Sequence, residues 1–534
     1  MTRSVDYAER TDTPSSSMLA YAGATTALTH NTATGLSKAL SFTTTDTAIT
    51  GTIARDVRGY VTARALTGDA SAAWGWTYDA AGRLTGQSGT GLSSGGATYE
   101  YGASGKKTGE SIALAFGPAR TSTFAYTPEG RLEQATIAGQ TTRYSFDAAG
   151  NLDKTKRGTE PTVTLAYDTA GRIVSMGDVA FGFDEATGRR ISAKRSGEES
   201  VTYAWTEAGR LEHFADPARD TSATHTYDGN GQRTTSVVTS GSLTTTTTWT
   251  YDGLTLLAYA IGRSDGATSA LTYLTSEGGR PIAGVWSSSE ASAPVRFSIL
   301  TNDRGDVVAL TDAAGEVFAT YGYDAFGAPR SDLTASRETS AAPHGPTIAA
   351  EQPLRYAGYV FDTHSGLYYC SQRYYDPQTM QFLTKDPARA DGEESAYQYC
   401  GGDPVGKVDP TGLWTLDKLY SWYDKYLPVL GRIWKAWGIG QKVDTMRTWL
   451  SVLFSGPRRA LQIFETYAIH WPLELEPYLL PHTGEPVPRT TRKQLALSRA
   501  IRERCGRSLP EYKKWVVRSA RTMVIRGVEV AWDI

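Results

Sequence analysis

Cysteines, long apolar runs and a leader-like first segment are all scarce or missing in this sequence. Three cysteines occur among 534 residues, Cys370, Cys400 and Cys505, and none stands in a Cys-x-x-Cys or Cys/His ligand pattern. This excludes a disulfide framework, so we predict reduced thiols, no metal site and no cofactor. No uncharged apolar run approaches the roughly 20 residues that cross a bilayer. The first residues also lack the apolar stretch of a signal peptide. We therefore expect no transmembrane segment, a cytoplasmic protein before export, and a non-Sec route out of the cell.

The small net charge of −2 conceals two segments of opposite sign. From Trp414 onward there are 20 Lys and Arg against 11 Asp and Glu, a balance of +9, while the residues before it carry −11. Adjacent segments of opposite charge attract each other, or the basic one has an anionic target. The charge alone leaves both interpretations open.

A short unit recurs along the first half of the chain. It is an aromatic residue, often followed by Asp, then small residues, Gly, a polar residue and often Leu or Ile. Examples are YDAAGRL at Tyr78, YTPEGRL at Tyr126, FDAAGNL at Phe146 and YDTAGRI at Tyr167. Successive aromatics from Tyr78 to Tyr251 lie 16 to 25 residues apart. Such a period predicts a repeat architecture and is too irregular for a coiled coil.

Each unit has the pattern of a β-hairpin. Stretches such as TSTFAY and TVTLAY alternate polar with apolar residues and run into Asp-x-x-Gly, where Asp starts a turn and Gly takes a positive φ. A single hairpin cannot bury its apolar face, so neighbours must stack. We expect a mainly β protein with an irregular or β segment at 1–70 and repeats at 71–347. A solid β-solenoid or a propeller is the alternative arrangement.

These repeats resemble the YD-repeat family, which includes bacterial Rhs proteins, the C subunits of Tc toxins and animal teneurins. The resemblance implies hairpins that spiral into a hollow β-shell, either complete or incomplete. It becomes more specific at residues 355–413, where GLYY, RYYDP, FLTKDP, YQY, GGDPV and DPTGL follow one another in the order of the Rhs-associated core. We call residues 355–413 the core segment, and we place the boundaries of the core domain at 348–413.

The resemblance also implies self-cleavage within the core segment. Carried over residue by residue, the catalytic groups are Asp386, Asp409 and Arg373, and the chain is cut between Leu413 and Trp414. Two close carboxylates suit general acid–base hydrolysis of an amide without a metal, since one holds a proton while the other activates water. The pattern departs from the family after Asp386, where DPARADG replaces DP-x-G-L. The alternative is purely structural, because Asp-Pro-x-Gly is also a favoured type I turn.

Residues 414–534 have the pattern of a small α or α+β domain. Apolar residues fall at helical spacing in VDTMRTWLSVLF, and a capping box, Ser508-x-x-Glu511, opens a later segment. In Rhs-type proteins this position holds a variable toxin, so the resemblance implies a toxin here by position. A cognate immunity protein, and a delivery apparatus or a second shell protein, would be its partners.

The composition of 414–534 favours a nucleic-acid target such as that of a nuclease or a modifying enzyme. Candidate contacts to nucleic acid, all on basic helix faces, are Arg492, Arg499, Arg502, Lys514, Arg518 and Arg521. Candidate acid–base groups are Glu465, His470, Glu474, His482 and Glu485. The alternatives are solvated helix faces and ordinary loop histidines. A membrane-active effector is also possible from LPVLGRIWKAWGIG, and a non-enzymatic surface or adhesion protein is the rival for the whole chain.

Overall fold

Most of the chain up to Leu413 forms one continuous antiparallel sheet followed by a compact aromatic segment. The computed structural model describes residues 2–7, 14–21, 23–30, 37–252, 255–276, 279–386 and 395–413. Thirty strands of this part of the chain belong to a single sheet, which we call the repeat sheet. Each strand pairs antiparallel with the next one in the sequence, as in a meander.

The strands of the repeat sheet are numbered β1 to β30 in chain order. β1 to β10 are Thr2–Tyr7, Pro14–Tyr21, Ala24–His30, Ser37–Thr43, Ala48–Arg55, Val61–Gly68, Ala72–Tyr78, Leu84–Gly89, Leu92–Tyr101 and Lys107–Leu114. β11 to β20 are Arg120–Tyr126, Leu132–Ile137, Gln140–Phe146, Leu152–Arg157, Val163–Tyr167, Ile173–Met176, Val179–Phe183, Arg190–Arg195, Val201–Trp205 and Leu211–Asp216. β21 to β30 are Thr221–Tyr227, Arg233–Ser240, Leu243–Asp252, Thr255–Arg263, Thr268–Thr275, Pro281–Ser288, Val295–Thr301, Val307–Asp312, Val317–Thr320 and Ala335–Ser336.

The remaining elements are short. One α-helix, Gly345–Glu351 (α1), and four 3₁₀ turns, Pro217–Arg219, Ser331–Leu333, Tyr356–Gly358 and Cys400–Gly402, occur in the described residues. A second sheet of four strands follows α1: β31 Val360–Asp362, β32 Leu367–Tyr369, β33 Tyr374–Asp376 and β34 Gln381–Phe382. None of the helices in the described ranges is long and apolar enough to cross a membrane.

The turn at Asp79 shows how the repeated motif closes each hairpin. The amide of Gly82 donates to the carbonyl of Asp79 and the amide of Asp79 donates to the carbonyl of Arg83, both at 3.0 Å. Gly82 has φ +82°, a conformation that residues with a Cβ rarely adopt. The strand pairing shifts by one residue at Tyr78. This is a type I turn closed by a glycine bulge. It confirms the turn predicted from Asp-x-x-Gly.

The same turn occurs outside the units recognised from sequence. Asp56 and Gly59 form it after β5, where Arg55 stands in place of the aromatic, and Asp312 and Asp324 form it later in the chain. Regular structure also extends through the segment 1–70, which contributes the six strands β1 to β6 to the repeat sheet. The domain boundaries at 70 and 347 remain sequence-based predictions.

The repeat aromatics are tied to the preceding unit by a hydrogen bond. A tyrosine hydroxyl at the end of one strand donates to a backbone carbonyl 15 to 19 residues earlier. We call these contacts the tyrosine ladder: Tyr78 to Val61, Tyr101 to Leu84, Tyr126 to Lys107, Tyr167 to Leu152, Tyr227 to Leu211 and Tyr323 to Val307. The indole of Trp205 makes the same contact with Arg190. The ladder explains why a polar aromatic is favoured at this position, since its ring is at least half-buried while its hydroxyl is satisfied.

The core segment is built around stacked aromatic rings. The rings of Tyr375 and Tyr399 stack with centroids 4.3 Å apart, and Tyr356, Tyr368 and Phe382 surround them. All five side chains are essentially buried. Aromatic packing of this density fixes the short loops between β31 and β34, which have little regular structure of their own.

Buried ion pairs join the repeat sheet to the core segment. Arg190 of β18 donates to Asp376 at 2.7 Å, and Arg233 of β22 forms a bidentate pair with Asp362. Both arginine side chains are fully buried. Unpaired, such charges would be costly to bury, so these pairs fix where the core segment lies on the sheet.

Candidate functional site

The predicted site residues come from three separate stretches of the core segment. Arg373 lies immediately before β33, Asp386 follows β34, and Asp409 begins the turn at the end of the described chain. All three are buried, with exposed fractions of 5%, 9% and 3%. The guanidinium of Arg373 stacks on Phe382, 3.6 Å from the ring centroid, which holds it in one orientation.

Arg373 brings the two aspartates together. Its Nη2 atom donates to Oδ2 of Asp386 at 3.2 Å and to Oδ2 of Asp409 at 3.3 Å. Because both carboxylates bond the same nitrogen, their Oδ2 atoms can be no further apart than the sum of these two distances. The guanidinium also donates from Nη1 to the carbonyl of Ala396, at 3.2 Å.

The turn after Asp409 brings the chain back to the same arginine. Nε of Arg373 donates to the carbonyl of Gly412. The amide of Leu413 donates to Oδ1 of Asp409 at 3.0 Å. The arginine and one carboxylate thus contact the two residues that precede the predicted cleavage point. Trp414, on the other side of that bond, lies outside the described residues.

Gly412 permits this close approach. Its φ is +73°, and a Cβ there would lie 3.1 Å from both the amide nitrogen of Arg373 and the carbonyl oxygen of Cys370. Those atoms belong to the backbone and cannot rotate away. A side chain at 412 would therefore push the turn off the arginine.

Tyr359 fixes the backbone of Asp409. Its hydroxyl donates to the carbonyl of Asp409 at 2.8 Å and accepts from the amide of Asp409 at 3.1 Å. A second phenol, that of Tyr399, lies 3.1 Å from the first. The roles of Tyr359 and Ala396 were not predicted from the sequence, because neither contact follows from a local spacing. The only available signal was the high number of tyrosines in the core segment.

The charges of the site lie close together in a buried environment. Burial lowers the pKa of Arg373, while Asp386 and Asp409 oppose that shift; an arginine nevertheless remains protonated near neutral pH. With both carboxylates ionised the cluster carries one net negative charge in a buried environment.

The neighbouring thiols do not offer a nucleophile. Burial raises the pKa of Cys370, and Asp409 adds to the effect; burial and Asp409 likewise raise the pKa of Cys400. Both thiols are free and buried. A protonated thiol is a poor nucleophile, so the carboxylates are the groups here that can activate water.

The other Asp-Pro sequences of the core segment have different partners. Asp376 pairs with Arg190 and Asp403 pairs with Lys106, both at 2.7 Å and both across to the repeat sheet. Asp386 and Asp409 are thus distinguished from them by sharing Arg373. Asp409 does form a turn, with the amide of Gly412 donating to its carbonyl at 3.3 Å, so the structural interpretation and the chemical one describe the same loop.

The predictions for the C-terminal segment fall outside the described residues. They concern the acid–base candidates His470, Glu474, His482 and Glu485, together with Glu465. They also concern the basic residues Arg492, Arg499, Arg502, Lys514, Arg518 and Arg521.

A model of a known family matches much of the repeat sheet and part of the core segment. Residues 101–394, more than half of the chain, match the family model described as "Teneurin YD-shell". The chain belongs to the teneurin YD-shell family. The matched range includes Arg373 and Asp386, while Asp409 lies beyond it. The YD-repeat resemblance inferred from the aromatic–Asp–Gly units is confirmed.

Several curated proteins are similar in sequence to part of this chain. The tRNA3(Ser)-specific nuclease WapA of Bacillus spizizenii is 27% identical over 299 residues, 54% of this chain and 12% of that protein. The double-stranded DNA deaminase toxin A of Burkholderia cenocepacia is 37% identical over 118 residues, 22% of this chain and 8% of that one. Toxin protein Tse5 of Pseudomonas aeruginosa is 40% identical over 62 residues, 12% and 5% respectively. The chain thus spans only about an eighth of the first of these relatives.

Among solved structures, the TcdB2-TccC3-TEV crystal structure is similar to this YD-shell chain. The aligned part is 77% of this chain and 25% of the chain in that structure. The sequence identity is 17% and the TM-score is 0.43.

Proposed function

We propose that this YD-shell protein is an Rhs-type polymorphic toxin that cuts its own chain between Leu413 and Trp414. The observation that carries the proposal is the arginine with two carboxylates, Arg373, Asp386 and Asp409, in contact with the turn that ends at Leu413. The names of the relatives, one a tRNA-specific nuclease and two of them toxins, support the same interpretation.

The proposed reaction is hydrolysis of an amide by a carboxylate pair. One ionised carboxylate takes a proton from water, and the resulting hydroxide adds to the carbonyl carbon of Leu413. The protonated carboxyl gives its proton to the nitrogen of Trp414 as the carbon–nitrogen bond breaks. The products are a carboxylate at Leu413 and an amine at Trp414.

Arg373 has a positioning role in this reaction. It fixes both carboxylates and holds the carbonyl of Gly412, so the bond to be cut stays at the acidic pair. Because the substrate is part of the same chain, no binding entropy is lost before the reaction. Tyr359, whose hydroxyl also contacts that of Tyr399, holds the backbone of Asp409 and supports the same placement.

Mass spectrometry of the purified full chain tests the proposal. We expect the wild-type protein to give a fragment that begins at Trp414, and Asp409→Asn and Asp386→Asn to stay intact, since the amides keep the shape but not the acid–base function. Asp403→Asn is the matched control, because Asp403 is a buried Asp-Pro aspartate paired with Lys106 instead. An intact wild-type protein, or a cleaved Asp409→Asn, would refute the proposal.

We further propose that the released segment 414–534 acts on nucleic acid in a target cell. Its +9 balance suits an anionic substrate, and relatives named as a tRNA nuclease and a DNA deaminase act on such substrates. A cognate immunity protein would protect the producing cell, and delivery would use a dedicated apparatus or a second shell protein.

Growth and nucleic-acid integrity in cells that express the full chain test this second proposal. We expect the wild type to stop growth with damage to tRNA or DNA, and Asp409→Asn to do so far less. Growth arrest with intact nucleic acid and a leaking membrane would favour a membrane-active segment. Harmless expression of a chain that is cleaved would favour the non-enzymatic adhesion role.

A further inference from the structure

Two histidines and an aspartate meet where the repeat sheet contacts the core segment. His225 lies on β21, Asp362 ends β31, and His364 follows two residues later. One ring nitrogen of each histidine and one carboxylate oxygen of Asp362 all lie within 4.8 Å of one another. These residues are separate from the arginine–aspartate site and take no part in the proposed cleavage.

Both histidines present a buried nitrogen that has no hydrogen-bond partner. His225 is only 2% exposed; its Nδ1 is 3.0 Å from the hydroxyl of Ser236, and its Nε2 contacts no donor or acceptor. Nε2 of His364 is likewise buried and unsatisfied. Burying such an atom without a partner costs free energy, so an ion or molecule that binds there is favoured.

The neighbouring contacts prepare these groups as ligands. A neutral imidazole that donates from Nδ1 to Ser236 leaves the lone pair of Nε2 available, which is how histidine binds metals.

Arg233 orients the carboxylate. Its Nη2 donates to Oδ1 of Asp362 at 2.9 Å while Nη1 contacts Oδ2, and the guanidinium lies over the rings of Tyr369 and Trp249. Asp362 compensates the charge of Arg233, which limits the repulsion that a cation would meet. Each carboxylate oxygen has a second lone pair, so Asp362 can hold the arginine and still bind an ion.

We propose that His225, Asp362 and His364 form a binding site for a divalent transition metal, with Zn²⁺ as the best match to two imidazoles and a carboxylate. Zn²⁺ binds such ligands at about 2.0–2.2 Å in a tetrahedron, which puts the donor atoms about 3.3 Å apart. Starting within 4.8 Å of one another, the three side chains reach this spacing by small rotations. Water takes the fourth position.

The site would connect two parts of the chain that are distant in sequence. His225 belongs to the repeat sheet and the other two ligands to the core segment, so the metal closes a loop of well over a hundred residues. Closing long loops reduces the freedom of the unfolded chain and adds stability.

Metal analysis of the full-length protein tests the proposal. Protein stripped with EDTA, dialysed and reloaded with Zn²⁺ is expected to bind one ion per chain by elemental mass spectrometry and to gain in melting temperature. His225→Gln and His364→Gln should each lose the ion. Two controls should keep it: His213→Gln, which changes an exposed histidine on the adjacent strand β20, and the pair His470→Gln and His482→Gln.

A cobalt experiment distinguishes the loss of a metal ligand from a failure of the variant to fold. Co²⁺ bound to the wild type is expected to give the visible absorption of a tetrahedral ion. His364→Cys should retain the ion and add a thiolate-to-cobalt absorption band, which only a ligand at position 364 can produce. Absence of tight Zn²⁺ binding by the wild type overturns the proposal. So does binding that survives in both His225→Gln and His364→Gln, or that is lost only in the His470 and His482 pair.

Discussion

Arg373 illustrates how much can depend on one side chain in a buried site. A guanidinium has donors in a fixed planar arrangement, so it can bond two carboxylates, the carbonyl of Gly412 and that of Ala396 at once. A lysine has three donors on one atom and cannot reach the same groups. The resemblance to Rhs proteins supplied the proposed roles of Arg373 and the two aspartates. The local spacing could not, because their meeting depends on the aromatic packing of the core segment.

At the residue scale, Gly412→Ala should slow self-cleavage by about tenfold or more. The added methyl would lie 3.1 Å from backbone atoms of Arg373 and Cys370, so the turn must move away from the arginine, and small displacements of a reacting bond are costly. The fraction of intact chain over time after synthesis measures the rate.

Gly366→Ala is the matched control for this change. Gly366 has the same φ of +73°, but nothing lies within 4 Å of its Cβ position, so the substitution adds backbone strain without a clash. Equal cleavage rates for Gly412→Ala and Gly366→Ala would show that the close approach at 412 is unimportant.

A second residue-scale prediction concerns Asp324, whose carboxylate accepts from the amides of Phe326 and Ala328. Burial raises its pKa from 3.8 to about 6. Between these values the folded chain binds more protons than the unfolded chain, so this group lowers stability as the pH rises. The penalty reaches about 3 kcal/mol above pH 6. Asp324→Asn should therefore stabilise the protein at pH 8 and have little effect at pH 4.

Urea unfolding of both proteins at the two pH values measures that difference. The comparison between wild type and variant removes the contribution of every other carboxyl group. A gain that is equal at pH 4 and pH 8 would contradict the assignment.

At the scale of the elements, the tyrosine ladder should contribute measurably at each position. Tyr167→Phe removes the 2.8 Å bond to the carbonyl of Leu152 and keeps the ring. We expect a loss of about 1 kcal/mol in the free energy of unfolding. Tyr60→Phe is the control, since Tyr60 is 40% exposed and its hydroxyl can reach water. A loss of the same size in both variants would argue against the ladder.

The hairpins were predictable from sequence because their determinants are local. Alternation gave the strands, and the Asp and Gly of each unit gave the turn and its positive φ. The units at Asp56 and Asp324 were missed because Arg55 replaces the aromatic in one, and the other lies in a less regular stretch. The tyrosine ladder could not be predicted from the sequence, because a hydroxyl contact between neighbouring units depends on strand register and twist rather than on composition.

At the scale of the whole molecule, buried ion pairs decide how the core segment sits on the repeat sheet. Arg190→Met should cost about 3–5 kcal/mol, because it leaves the carboxylate of Asp376 buried without its partner. The double variant Arg190→Met with Asp376→Asn should cost less than the single one, since no uncompensated charge remains. Chemical denaturation of the three proteins measures both values.

If the losses in the free energy of unfolding simply add, so that the double variant is less stable than Arg190→Met, then Arg190 and Asp376 do not stabilise each other. Contacts of this kind lie outside sequence-based prediction. Arg190 and Asp376 are 186 residues apart, and only the completed sheet brings them together.

The tyrosine ladder also bears on how such proteins change in length over generations. Most of these hydroxyls bond only the unit immediately before them, so the contact at such a junction does not depend on the absolute position of a hairpin; Tyr227 also contacts the hydroxyl of Tyr374. Duplication or in-frame loss of one whole unit would re-form the same junction with the next neighbour. Copy number is then free to vary only where the change keeps Arg190 and Arg233 opposite Asp376 and Asp362, so these two ion pairs mark the units that insertion and loss must spare.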